Sequence, residues 1–203
     1  MEFLVTMTTQ VPDGVSDEEV AAMREREAAN TRRLAAEGKV VRLWRPPLGP
    51  GQWRTLGLFA ADDADALEQA LATMPLRVWR QDEVTPLGVH PNDPGPGRVA
   101  LDAAQSEFLT TFTVAVPAGT PAGAVDAMAA RESARAAELA TDGRLLRLWT
   151  LPGGGRNLGH WQAPDPASLR VDLQSLPMAE WLVVETVPLT RHPSDPATAE
   201  ALR

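Results

Sequence analysis

Cysteine is absent from the 203 residues. That excludes disulfides, thiolate zinc sites, iron–sulfur clusters and a cysteine nucleophile. Long apolar runs are missing too: none approaches the ~20 residues a membrane span needs, so no membrane partner is expected. The opening Met1-Glu2-Phe3-Leu4-Val5-Thr6 lacks a basic stretch and a long apolar core, which leads to the expectation of no signal peptide and a cytoplasmic protein. Lysine is nearly missing: Lys39 stands against 18 arginines, a bias read as coding preference rather than function. Positive charge is in deficit, with 19 basic against 27 acidic side chains and a net charge of −8. The deficit is even, since residues 1–92 carry 10 basic and 14 acidic groups and residues 93–203 carry 9 and 13. With no basic half or patch, nucleic acid is not an expected partner.

What the chain has in quantity is proline and glycine, 18 and 15 residues, set between apolar-periodic segments. It also repeats itself, and internal self-similarity decides the fold when present. Glu2-Phe3-Leu4 recurs as Glu107-Phe108-Leu109, Arg26-Glu27 as Arg131-Glu132, Gly38 as Gly143, and Arg42-Leu43-Trp44 as Arg147-Leu148-Trp149. After a Pro/Gly-rich stretch the offset shortens by three: Arg54 pairs with Arg156, Leu56-Gly57 with Leu158-Gly159, Pro75 with Pro177, Trp79 with Trp181, and His90-Pro91 with His192-Pro193. The expected domains are therefore 1–92 and 106–193. A breaker-rich linker is expected over 93–105 and a loose polar tail over 194–203.

Within the first copy, alternation predicts strands over 2–11, 39–45, 53–60 and 77–87. Helices are predicted over 17–37 and 63–73, the first with Ser16 and Glu19 as a capping box and Gly38 beyond its end. The second copy repeats the order. This βαββαβ order predicts an α+β fold of two tandem ferredoxin-like domains, each with its helices on one sheet face. The bare faces would expose large apolar surfaces, so the copies are expected to pack sheet to sheet as a pseudo-dimer, open to further association into a homo-oligomer.

Two features suggest chemistry. On a wheel of about 100° per residue, Glu27 falls within about 40° of Val20, Met23 and Leu34, in the middle of the expected buried stripe. Glu132 repeats it. A buried carboxylate costs several kcal/mol unless paired or neutralised, and desolvation raises its pKa into the range of a general acid or base. Glu27 and Glu132 are the candidate catalytic residues; the alternative is a carboxylate paired inside the fold to Arg26, Arg42 or Arg45. The second feature is Arg42-Leu43-Trp44-Arg45. If Val41 and Leu43 face the helix, Arg45 enters the same compartment as Glu27 and could clamp a substrate carboxylate, the alternative being an arginine that reaches solvent. Arg42, Trp44, Arg147, Asn157 and His90 complete the candidate substrate-binding set. The scattered histidines show no metal-ligand spacing, so no metal is expected.

The collinear set Arg26-Glu27, Gly38, Leu43-Trp44-Arg45, Pro75-Leu76, Val84-Thr85-Pro86-Leu87 and His90-Pro91 resembles muconolactone isomerase, and a looser version recurs over 106–193. The resemblance implies a cofactor-independent isomerase on a small-molecule substrate, converting muconolactone into the enol-lactone of 3-oxoadipate in aromatic catabolism, by oligomeric subunits. It implies Glu27 as proton shuttle and Arg45 as carboxylate anchor. Two departures stand out: the family normally has one domain per chain, and the second copy has Thr150 where the first has Arg45. A family asparagine is matched by Asn157, but by Thr55 in the first copy. A division of labour between copies is one consequence. A cofactor-free oxygenase, cyclase or dehalogenase on this scaffold, and a non-catalytic binding or assembly module, remain open.

Overall fold

A computed structural model describes residues 1–197. The first copy runs β1 (Glu2–Thr9), α1 (Asp17–Ala36), β2 (Val40–Arg45), β3 (Arg54–Ala60), α2 (Ala64–Ala72), a 3-10 turn (Pro75–Trp79) and β4 (Arg80–Val89). The second runs β5 (Ser106–Val114), α3 (Ala122–Thr141), β6 (Leu145–Thr150), β7 (Arg156–Ala163), α4 (Pro166–Gln174), a 3-10 turn (Ala179–Trp181) and β8 (Leu182–Arg191). Both are ferredoxin-like: β1 pairs antiparallel with β3 and β4, and β3 with β2; β5 pairs with β7 and β8, and β7 with β6. No helix among the described residues is long and apolar enough to cross a membrane.

The compact units are cut differently from the repeat. One comprises Met1–Leu87 and the described residues from Thr190 on; the other is Gly88–Leu189. The last strands explain this. Thr190 and Arg191, at the end of β8, pair with Arg45 and Trp44 in the first unit. Gly88 and Val89, at the end of β4, pair with Thr150 and Trp149 in the second. Beyond each of these strand ends the chain is fastened in place. In the first unit Asp195 is 2% exposed and grips Arg42, so the segment expected as a loose tail is anchored at least that far. In the second, Asp93 holds Arg147, and Gln162 accepts from Asp102 N and donates to Ala100 O, so the expected linker lies packed against this unit.

Three helix starts and two helix ends have a clear local cause. Ser16 and Glu19 form the capping box of α1, and Asp63 and Asp165 cap α2 and α4. Helices α1 and α3 end in Gly38 and Gly143 at φ of 72° and 74°. There Lys39 N bonds Leu34 O and Arg144 N bonds Leu139 O, the Schellman pattern that only glycine allows cheaply. The cores lie between sheet and helices: Phe3, Val5, Val40, Leu43, Phe59, Leu34 and Leu71 in one unit; Phe108, Phe112, Leu145, Leu148, Trp161, Leu139 and Leu169 in the other.

One expected face is corrected. The register of β2 slips between Val40 and Arg42, a bulge that β6 repeats between Leu145 and Arg147. The extra residue puts Val40, not Val41, in the helix-side core with Leu43. Arg45 stays on Leu43's side by alternation, as expected.

Candidate active site

Each unit holds a cavity between its long helix and its sheet, and each cavity carries the repeated glutamate. The first unit's cavity is about 550 Å³ and is lined by Glu27 and Thr31 of α1, Met7 and Thr9 of β1, Leu43 and Arg45 of β2, Thr55 of β3, and Arg80 of β4. Trp53, Leu48 and Gln52, from the connection 46–53, close one side, and His192, Pro193 and Ser194 another. The corresponding connection in the second copy, 151–155, is three residues shorter. Arg24 stacks over Trp53, 4.4 Å from its ring centroid, and also lines this cavity.

The Glu27 side chain is 12% exposed. One carboxylate oxygen accepts from Leu76 N at 2.9 Å, satisfying an N–H left over at the start of the 3-10 turn. The other meets Arg80 at 3.1 Å. Of the arginines considered as an internal partner, neither Arg26, Arg42 nor Arg45 supplies the charge; Arg80 does. Arg80 is shared, because its Nη2 also donates to Asp82 at 3.0 Å, and its Nε lies 2.6 Å from Asp82 but out of line for a hydrogen bond. Asp82 is paired in turn with Arg77, which holds Glu68. Desolvation pushes the Glu27 carboxyl above its ordinary range, against the opposing pull of Leu76 N and Arg80.

His192 Nδ1 accepts from Ser194 N at 3.1 Å, which leaves the proton on Nε2. Burial, helped by the positive charge of Arg45, lowers its pKa to about 4, so the ring is a neutral N–H donor at physiological pH. Arg45 is exposed and has no ion-pair partner among the described residues.

The second unit's cavity is smaller, about 330 Å³, and its wall is mostly Phe112, Val114, Leu145, Leu148, Trp161, Leu176, Met178 and Leu182. Glu132 lines it and accepts from Met178 N at 2.9 Å, the counterpart of the Leu76 bond. No arginine among the described residues lines it: Leu182 stands where the first copy has Arg80, and Ala129 where it has Arg24. Desolvation raises the Glu132 carboxyl as well. Asn157 and His90 line this same cavity, so they join Glu132 rather than Glu27.

Because its folded pKa is raised, Glu132 is protonated more readily in the native state than in the unfolded chain. Its contribution to stability is full below about pH 4.5 and is lost as pH rises through the folded value. Glu132→Gln should therefore stabilise the protein at pH 7, with the margin shrinking toward pH 4. Urea unfolding midpoints at the two pH values check this.

The structure does not bring Arg42, Trp44 or Arg147 to either cavity. Arg42 is buried and bidentate to Asp195, whose Oδ1 also accepts from Leu43 N at 3.0 Å. Its guanidinium lies 5.0 Å from the Trp44 ring. Arg147 repeats this with Asp93, Leu148 N and Trp149. The alternation that places Arg45 on the helix side places Arg42 on the other. The sequence pattern does not point to Arg24, Arg80 or Trp53 around Glu27, nor to the clasping Asp93 and Asp195, whereas His192, which like His90 precedes a proline just after a last strand, lies at the cavity wall. The clasp was visible as a recurring His-Pro-x-Asp-Pro beside a recurring arginine.

Each unit is thus a ferredoxin-like domain whose helix–sheet cavity holds a desolvated carboxylate. The chain belongs to the muconolactone delta-isomerase family, whose model matches residues 1–93 and again 106–195. It is 31% identical over 87 residues to muconolactone delta-isomerase 1 of Acinetobacter lwoffii, covering 43% of this chain and 91% of that protein. It is 29% identical over 87 residues to the Cupriavidus pinatubonensis enzyme, covering 43% and 95%. In fold alone it is similar to chlorite dismutase from Candidatus Nitrospira defluvii, with a TM-score of 0.62 and 10% identity over 95% of this chain and 92% of that one.

Proposed function

We propose that the chain is an isomerase that shifts a double bond in a small unsaturated lactone acid, muconolactone or a related compound, and that the first unit's cavity is its reaction site. The observation that carries this reading is the meeting of a desolvated glutamate and an unengaged arginine, Glu27 and Arg45, in one cavity. The substrate carboxylate binds Arg45, with Arg24 and its Trp53 partner at the wall. Glu27 takes a proton from a ring carbon, and the electron pair spreads into the lactone carbonyl. The neutral His192 N–H is available to the oxygen on which that charge develops. Glu27 then returns the proton to another carbon of the conjugated system. Atoms and electrons balance within the substrate, so the step calls for no cofactor or metal.

The competing reading, a non-catalytic module, draws on the Arg80 ion pair and on the bond to Leu76 N, which together give Glu27 a structural role. Ring-proton exchange separates the two. The protein is incubated with muconolactone in heavy water and deuterium uptake is followed by NMR. Uptake above background is expected, and none would overturn the isomerase reading. Arg45→Met should raise KM about 10–100-fold, the worth of a charge-assisted hydrogen bond, with kcat within a few-fold.

A further inference from the structure

The two cavities descend from one repeated sequence, yet their walls have diverged in one direction. Among the described residues four arginines line the first cavity; where it has Arg24, Arg45 and Arg80 the second copy has Ala129, Thr150 and Leu182, while the fourth, Arg54, recurs as Arg156, which does not line the second cavity. Asp82, which shares Arg80, has become Val184, and Arg77 has become Ala179, so the supporting charge network is gone with it. What remains polar is Glu132, Asn157, His90 and Asn92. His90 Nδ1 accepts from Asn92 N at 3.1 Å, which leaves Nε2–H as a donor. The Asn157 amide lines the cavity without a hydrogen-bond partner among the described residues.

We infer that the second unit's cavity is a separate binding site for an uncharged cyclic carbonyl compound, such as an unsaturated lactone without a carboxylate. A ligand carboxylate there would be desolvated beside Glu132 with no cation to meet it, which burial makes costly. A neutral ring meets Phe112, Leu148, Trp161 and Leu182, while its carbonyl oxygen has two neutral donors, Asn157 and His90, on the wall. The volume of about 330 Å³ equals that of roughly ten liquid waters at ~30 Å³ each, room for a small ring. The assignment rests on the lining alone and stands whether or not the first cavity proves catalytic.

Methionine methyl groups report on each cavity separately: Met178 lines the second, Met7 and Met74 the first. The full chain carries 13C-methyl methionine, assigned by single Met→Leu substitutions. It is titrated with 5-methylfuran-2(5H)-one, a neutral butenolide, and with muconolactone. The neutral lactone should shift Met178, with an affinity there at least about tenfold greater than that of the acid. Ala129→Arg, at an exposed helix position that tolerates a long side chain, should cut that preference several-fold, and Leu182→Arg should cut it further. A neutral lactone that leaves Met178 unmoved, or muconolactone binding there equally well, would overturn the inference. Failure of muconolactone to move Met7 or Met74 bears on the first cavity only.

Discussion

Glu27→Gln should lower muconolactone proton exchange by about 10²–10⁴-fold, the usual contribution of a positioned general base. Glutamine keeps the shape, and its carbonyl oxygen still accepts from Leu76 N, so the 3-10 turn stays capped. Arg80 keeps Asp82. What is lost is the ability to take a proton. Glu132→Gln removes the same atom from the arginine-free cavity and should leave exchange of the acid substrate within about twofold. Equal losses from both variants would discard the division of labour. No loss from Glu27→Gln would reduce that residue to a cap of the 3-10 turn. The pH profile adds a second readout. With the Glu27 carboxyl raised by desolvation, the acid limb of kcat/KM should lie above the ordinary carboxylate value of 4.5. Replacing Arg80 and Asp82 by the Leu and Val of the second copy should move it higher still, because Arg80 opposes the shift.

The repeat made most of the fold legible. Its offset change marked the loop whose extra residues carry Trp53 to the cavity wall, and both Schellman glycines stood at the matching positions. The site was half legible. Glu27 was found because a carboxylate in an apolar stripe is unusual, although that stripe is less buried than the wheel implied: only Thr31 and Leu34 of α1 are fully buried. Arg45 was found by strand alternation, which survived because the bulge falls upstream of it. Arg42 and Arg147 stand in the candidate substrate-binding set, but each is neutralised by an aspartate some 50 residues or more away in sequence. A partner that distant has no local signal. Comparing the copies position by position would have supplied one, since Asp93 and Asp195 recur with the arginines they bind.

The clasp sets up the largest expected stability effect. Asp195→Ala should destabilise the protein by about 3–5 kcal/mol, the range for removing one partner of a buried ion pair. The carboxylate is fully buried, Arg42 is 9% exposed, and the same carboxylate satisfies Leu43 N in the middle of β2. At an m-value of about 1–3 kcal/mol/M, the urea midpoint should fall by at least ~1 M. Asp93→Ala should cost less, because Asp93 and Arg147 are 12% and 11% exposed and water can partly replace the lost bonds. Replacing both partners, Arg42→Met with Asp195→Leu, should recover much of the loss, as it leaves no desolvated charge behind. The clasp also reaches the site. Asp195 comes directly after His192, Pro193 and Ser194 of the cavity wall, and its N–H bonds His192 O at 2.8 Å. Asp195→Ala should therefore raise KM for the lactone acid even at temperatures where the protein stays folded. The double replacement should restore stability more fully than KM, because the apolar pair refills the space without holding Leu43 N. Recovery of both to the same extent would show that the wall needs only packing, and that the aspartate's bond to β2 has no part in shaping the site.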